Sequence, residues 1–325
     1  MLTGRLTLAA AALLACAGAS PAAAEFKPTR PIEVVVHGGP GSGNDLFGRA
    51  VVAAVEAEKL ATVRFQIANK PGGGSTTAAN YLMSKDGDAH TIGVFTNIWL
   101  TDPLVQAEAK ARLHDMTPIA RILVEPALVV VRGDSGLKTL RDFIDAAKAK
   151  PGQMKQSGGS ITARENIIRQ MLMNNTGARW TFISFPSGGE RLAALLGGHV
   201  DVMILDPAEA GEQVRTGKLR VIAQVSEQRL DAFLDVPTLK EAGFDIPNVP
   251  QTRGIVGPPG MPADAVAYFV GLLQKVTATP AWQKYLQDNQ FEGAFAGPEE
   301  TRAFLVRYEE QIRGLLKETG AKVVR

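Results

Sequence analysis

Two rhythms of apolar and polar positions alternate along this chain. Short β-branched runs, IEVVVH (32–37), VRFQIA (63–68), HTIGVF (90–95) and ALVVVRG (127–133), predict buried strands, because strands covered on both faces read as continuous apolar stretches. Helix-length segments lie between them. DLFGRAVVAAVEAEKL (45–60) sets Phe47, Val51 and Val55 on one face, a turn and a helix through Tyr81 follow the second strand, and TLRDFIDAAKAK (139–150) stops at Pro151-Gly152. A second series then runs: helix 162–175, strand 179–185, helix 188–198, and strands 199–205 and 218–226. The strand and proline-rich turn GIVGPPGMP (254–262) lead into three helices, 263–277, 280–288 and 298–319.

This order predicts an α/β protein built from right-handed βαβ units, with mainly parallel sheets flanked by helices. No repeat period recurs. Two series without a low-complexity linker predict two lobes joined by strand crossovers, near Leu123–Arg132 and Arg253–Gly257.

Composition narrows the class. The 325 residues suit two domains better than one, and 45% hydrophobic, 21% charged and 6% aromatic residues suit an ordinary soluble α/β protein. A net charge of +2 with scattered Lys and Arg gives no reason to expect nucleic acid as a partner. The first 26 residues, MLTGRLTLAAAALLACAGASPAAAEF, read as a secretory signal peptide cleaved after Ala24, since the apolar part is far short of the ~20 residues that span a bilayer. Cleavage would remove Arg5 and the single cysteine, Cys16, leaving an exported, periplasmic chain with no disulfide. Lipid anchoring at Cys16, in LLAC, is the alternative.

Chemistry gathers at four strand-to-helix junctions, HGGPGSGND (37–45), NKPGGGSTT (69–77), QSGGSITAR (156–164) and FPSGGER (185–191). Glycine there lets backbone N–H groups face a cavity, and the following helix N-terminus favours an anion. Nucleotide motifs fail on detail: Asn44-Asp45 stands where a P-loop has Lys-Ser/Thr, and Gly39-Pro-Gly41-Ser-Gly43 is one residue short of the dinucleotide fingerprint. None of Ser42, Ser160 and Ser187 occupies a G-x-S-x-G elbow. Of the four histidines, His37 alone ends a strand beside a glycine loop; His90 and His199 open strands, and His114 falls in a surface stretch. No histidine pair has metal-ligand spacing. Asp45 stands where an N-cap belongs, and Asp206, ending VDVMIL before Pro207, is either another cap or an acid at the sheet mouth.

With these residues in view, FKPTRPIEVVVHGGPGSGNDLFGRA, NKPGGGSTTAANYL, TPIARI…ALVVVRGDSGLKTLRDF, QSGGSITARENI, FPSGGERLAALLGGHVDVMILDP and DVPTLKEAGFDI followed by RGIVGPPGMP together resemble the periplasmic receptors of tripartite tricarboxylate transporters, the Bug family. The likeness runs in order from about residue 26 to the C-terminus. It implies a two-lobed, Venus-flytrap binding protein of the type II periplasmic class, with residues 25–124 and 253–325 in one lobe and 125–252 in the other. It implies a small carboxylate held between Gly39, Gly41, Ser42, Gly43, Asn44, Thr96 and Asn97 of the first lobe and Gly159, Ser160, Ile161, Thr162, Ser187, Gly188 and Asp206 of the second. It also implies no enzyme activity, cofactor or metal, a monomer, and delivery to a small and a large integral-membrane subunit. A receptor feeding a signalling partner, or an exported hydrolase or isomerase using His37 and Asp206, are the alternatives. The chain departs from the family's pattern at Val36-His37, where proline–phenylalanine is frequent, at Asn166, where histidine is, and at Thr162 and Ala163, where glycine is. Arg164 beside them is unusual, and reads either as a partner for a solute carboxylate or as a solvated surface arginine.

Overall fold

A computed structural model describes residues 26–159, 162–185, 188–318 and 322–325. The leader with Cys16, the cleavage point after Ala24, and Ser160, Ile161 and Ser187 lie outside the described residues. Strands and helices alternate through β1 (Ile32–Val36), α1 (Gly43–Ala57), β2 (Phe65–Asn69), α2 (Thr76–Met83), β3 (Thr91–Phe95) and α3 (Ile98–Val105) to β4 (Thr117–Glu125). Only Pro126 separates β4 from β5 (Ala127–Arg132). The second series is α4 (Leu140–Ala149), β6 (Lys155–Gly158), α5 (Arg164–Thr176), β7 (Thr181–Ser184), α6 (Gly188–Leu196), β8 (Val202–Leu205), α7 (Pro207–Arg215) and β9 (Leu219–Val225). The chain then returns to β10 (Gln251–Gly257), α8 (Ala263–Ala278), α9 (Pro280–Asn289), β11 (Glu292–Ala296) and α10 (Pro298–Glu318).

Two sheets result, one ordered β11-β4-β10-β3-β1-β2 and the other β7-β6-β8-β5-β9. Each defines a lobe with its flanking helices. Both sheets are mixed where the alternation predicts mainly parallel ones. Pairing is parallel along β2-β1-β3 and β7-β6-β8, and antiparallel where β10, β4, β11, β5 and β9 are added. The cause is connectivity: β4 carries the chain out of the first sheet and β10 carries it back, so the two run in opposite directions.

Register then decides where the loops meet. Gly254 pairs with Phe95, so Thr96, the next residue after β3, sits at the start of β10. Leu205 pairs with Leu128, so Asp206 sits at the start of β5, next to the Pro126 crossing. The carboxyl ends of the parallel strands of both sheets therefore face the crossing, the place where open α/β sheets bind ligands.

One apolar cluster is continuous from lobe to lobe. Phe95, Trp99 and Leu100 of the first lobe and Ile167, Ile168 and Met171 of the second join through Leu305, Tyr308 and Ile312 of α10, all buried. The outer faces of the two sheets have separate cores, around Phe47, Phe269 and Trp282 in the first lobe and Leu195, Met203 and Leu205 in the second.

Glycine is obligatory at one crowded point of the central strand. A Cβ on Gly254 would lie 2.4 Å from the Phe95 ring and 2.5 Å from the Ala120 carbonyl oxygen. Gly254→Ala is expected to cost about 1–3 kcal/mol, read as a lower urea midpoint with an unchanged m-value.

Candidate functional site

The turn after β1 is organised from inside. Ser42, rather than Asp45, is the N-cap of α1, its Oγ accepting from Asp45 N at 3.3 Å. Asp45 reaches back instead, accepting from Gly41 N at 2.8 Å, Asn69 Nδ2 at 3.0 Å and Arg49 Nε at 2.8 Å. Burial pushes the Asp45 carboxyl up, but the bonds from Arg49, Gly41 and Asn69 win and hold it below the usual range. Gly41 has φ +79°, a left-handed conformation that suits glycine. Gly39 and Gly43 complete the turn, and a Cβ on Gly43 would lie 2.9 Å from Arg253 Nη2.

Two other glycine junctions follow the same rule. Ser75, after the turn that follows β2, gives both N–H (2.7 Å) and Oγ (2.8 Å) to Asp102 Oδ2. Gly159, after β6, donates its N–H to Glu165 Oε1 at 2.7 Å, and Arg191 Nη1 binds that oxygen at 3.1 Å. At these three junctions one expected anion-binding amide is thus filled by a carboxylate of the chain itself. Gly188, at the fourth, opens α6 beside Glu209, which pairs with Arg191 at 3.2 Å.

At the strand crossing, two buried charges meet. Glu125 ends β4 at 0% exposure and Arg253 lies in β10 at 4%; Nε and Nη2 of Arg253 both donate to the Glu125 carboxylate, the second at 3.0 Å. A register shift between Arg253 and Gly254 accompanies this, as bulges do where a side chain is re-aimed. Gln251 Nε2 donates to Glu125 Oε2, and Arg253 Nη1 to Asn44 Oδ1 at 3.3 Å. Asn44 passes the network on, its Nδ2 lying 2.8 Å from His37 Nδ1 and 3.2 Å from the Val94 carbonyl. Trp99 Nε1 donates to the same His37 Nδ1 at 2.9 Å.

The second lobe contributes Arg164. It is 7% exposed, so the solvated-surface alternative is excluded. One Nη donates to the Glu125 carbonyl at 2.7 Å and the other to Asp206 Oδ1. Asp206 occupies the N-cap position of α7 without a side-chain capping bond; its carboxylate serves Arg164 instead. Thr162 Oγ1 crosses between lobes to Asp102 Oδ1 at 3.1 Å.

These groups enclose a cavity of about 110 Å³, lined by His37, Thr96 and Asn97 from the first lobe, Thr162 and Arg164 from the second, and Gln251 from β10. Of the expected contacts, Thr96, Asn97 and Thr162 are in its wall. The Asn97 and Asn44 side chains are committed to the scaffold: Asn97 bonds Pro250 O, Tyr308 Oη and Thr252 N at 2.7–3.0 Å. A larger, open groove of about 980 Å³ runs between residues 225–231 and the α9–β11 region, with Pro126 of the crossing and Pro250 before β10 in its wall. His114, expected on a surface stretch, is half-buried 2.5 Å from Glu309. Among the described residues no cluster suits a metal ion.

Glu125 and Arg253 were not among the expected residues, although the sequence carries a signal for them. Each is a lone charge in a strand-like run, ILVEPALVVV and QTRGIVG, and opposite charges inside buried strands need one another.

Two α/β lobes whose loops converge on a polar cavity at a double strand crossing are the architecture of a two-lobed binding protein. The chain belongs to the tripartite tricarboxylate transporter family receptor family, whose profile matches residues 49–320. A Cupriavidus necator protein, the UPF0065 protein in the gbd 5'region, is 28% identical over 316 residues, 97% of this chain and 95% of its own. A solved TctC solute-binding protein from Polaromonas, without ligand, is 28% identical, with a TM-score of 0.71 over 90% of this chain and all of that one. MatC from Rhodopseudomonas palustris, solved with bound malate, shares the fold at a TM-score of 0.78 and 23% identity, over 89% of this chain and 99% of its own.

Arg253→Met is expected to destabilise by roughly 3–5 kcal/mol, because Glu125 is left buried and uncompensated, and adding Glu125→Met should restore most of the loss in guanidinium titrations. His37 gives a pH signature. Burial, then the Arg253 charge, lower its pKa from 6.5 to about 3. The unfolded chain therefore takes up a proton first as pH falls. The stability this group contributes is complete above about 6.5 and is lost toward about 3, at up to ~1.4 kcal/mol per pH unit. His37→Phe should flatten the acid side of the stability–pH curve by that one-proton slope.

Proposed function

We propose that this chain is an exported receptor that takes a small carboxylate between its lobes and delivers it to the membrane subunits of a tripartite tricarboxylate-type transporter. The observation that carries this is Arg164, a buried cation of the second lobe, lining the same cavity as His37 and Thr96 of the first. Family membership and the malate held by MatC support the solute class. The leader read from residues 1–24 supports a periplasmic location, and among the described residues no helix is long and apolar enough to cross a membrane. Residues 25–124 with 253–325, and 125–252, act in this reading as the two moving bodies.

The loops set how binding couples to motion. In this reading the solute carboxylate lies at the cavity, with Thr96 and Thr162 in its wall and Asp206 orienting Arg164 rather than meeting the solute directly. Micromolar affinity needs about 8 kcal/mol, and a charge-assisted hydrogen bond gives roughly 1.5–3, so contacts from both lobes are required and binding favours the lobes-together form. Membrane subunits would recognise that form, with the chain acting as a monomer. A hydrolase or isomerase reading finds no support in the geometry. Asp206 is engaged with Arg164, and His37 Nδ1 with Trp99 and Asn44, so nothing couples the two as acid and base.

Adding a bound carboxylate at a hundred times its dissociation constant should stabilise the protein by about 2.7 kcal/mol, visible as a raised melting temperature, and should reduce the radius of gyration by small-angle scattering. Thr162→Val, which removes the bond to Asp102, is expected to weaken the same ligand about three- to tenfold. Stabilisation without compaction, or consumption of the carboxylate by the purified protein, would overturn the reading.

A further inference from the structure

Most polar groups around the cavity are already partnered. Gln251 serves Glu125, Thr101 Oγ1 the Asn97 carbonyl, and the Tyr308 hydroxyl the Pro250 carbonyl. Among the described residues, what remains on offer is His37 Nε2, the Thr96 hydroxyl, and the Arg164 N–H groups not used by Glu125 and Asp206.

His37 is the informative one. Its Nδ1 is the acceptor of two N–H donors, from Trp99 at 2.9 Å and Asn44 at 2.8 Å. A ring nitrogen that accepts cannot carry the proton, so the proton sits on Nε2. The ring is half-buried, lines the cavity and stays neutral down to about pH 3 through burial and the nearby Arg253 charge. It is a fixed donor without charge. Opposite in character is Arg164, the one cation among the described residues of the cavity wall, its charge shared with Asp206. A single shared cation matches a single carboxylate; a second carboxylate would meet only neutral donors. The remaining wall, Ile98, Ile167, Val249 and Ile312, is apolar, and about 110 Å³ is a small space, well under the roughly 300–1,000 Å³ usual for ligand pockets.

We propose that the solute is a short monocarboxylate bearing an uncharged oxygen on the adjacent carbon, a 2-hydroxy or 2-oxo acid, with the carboxylate on Arg164 and that oxygen accepting from His37 Nε2–H. His37 is then the specificity-determining residue. This rests on the receptor reading and narrows it.

The test is calorimetric titration of the wild-type protein with lactate, pyruvate, propionate, succinate, malate and adipate, repeated on His37→Phe and Arg164→Gln. Lactate and pyruvate should bind roughly tenfold or more tighter than propionate, and tighter than all three dicarboxylates. In His37→Phe, lactate should bind no more tightly than propionate does to the same variant, and Arg164→Gln should weaken all monocarboxylates. An independent readout on unmodified protein is the ¹⁵N spectrum of labelled histidine, expected to show the Nε2–H tautomer with an Nε2 signal that moves on adding lactate. Tighter binding of a dicarboxylate, a lactate preference that survives in His37→Phe, or an Nδ1–H tautomer would overturn the proposal and leave the receptor reading standing. Binding of none of the six, with no small carboxylate raising the melting temperature, would overturn both.

Discussion

The ion pair between Glu125 and Arg253 is the constraint on which the centre of the molecule depends. Both charges lie inside strands that carry the chain between sheets, in a position where neither can reach water. Taking two charges out of water is costly, and the cost is offset only when geometry and additional hydrogen bonds satisfy both groups. The bidentate Arg253 contact, with Gln251 and Asn44 at its edges, meets that condition. The pair fixes which residues of β4 and β10 face each other at the crossing. Asn44 then fixes the β1–α1 turn, and through that turn the tautomer of His37. A chain of polar contacts thus runs from the crossing strands to the cavity wall without a break.

The glycine junctions gain a second meaning from the structure. Bare amides at helix N-termini attract anions, and three of these junctions have been given one from the chain: Asp45, Asp102 and Glu165. Such internal carboxylates hold the turns in shape whether or not a solute is present. In the proposed receptor site, fewer groups are left for a solute than the glycine count suggests, with Arg164 supplying the charge.

Much of the fold was legible because apolar periodicity reports burial directly. Strands such as IEVVVH and the long C-terminal helices have no competing pattern, and the family resemblance, spread over six ordered motifs, carried the two-lobed architecture. What escaped notice has physical reasons. β6 is KQSG, whose polar and glycine residues are buried by tertiary packing rather than announced by hydrophobicity. β4 is interrupted by Arg121 and Glu125, α3 carries an internal proline, Pro103, and α7 opens on Pro207, so each lacks the uninterrupted pattern that identifies a strand or helix. The sequence singled out His37, Asp206 and Arg164, and the structure puts His37 and Arg164 in the cavity wall with Asp206 on Arg164. The sequence could not say that Asp206 and Arg164 face each other, because 42 positions separate them and it is the parallel pairing of β6 with β8 that sets the strand ends before them side by side.

The helix α10 has a thermodynamic consequence. Its buried face touches α3 of one lobe and α5 of the other, joining Leu305, Tyr308 and Ile312 to both. Parting the lobes would wet apolar surface, and wetting apolar surface raises heat capacity. The balance between parted and joined forms is therefore temperature-dependent in a particular sense: cooling weakens the oily seam while the polar contacts across the cavity persist. A receptor whose lobes part along this seam would part more readily in the cold than in the warm.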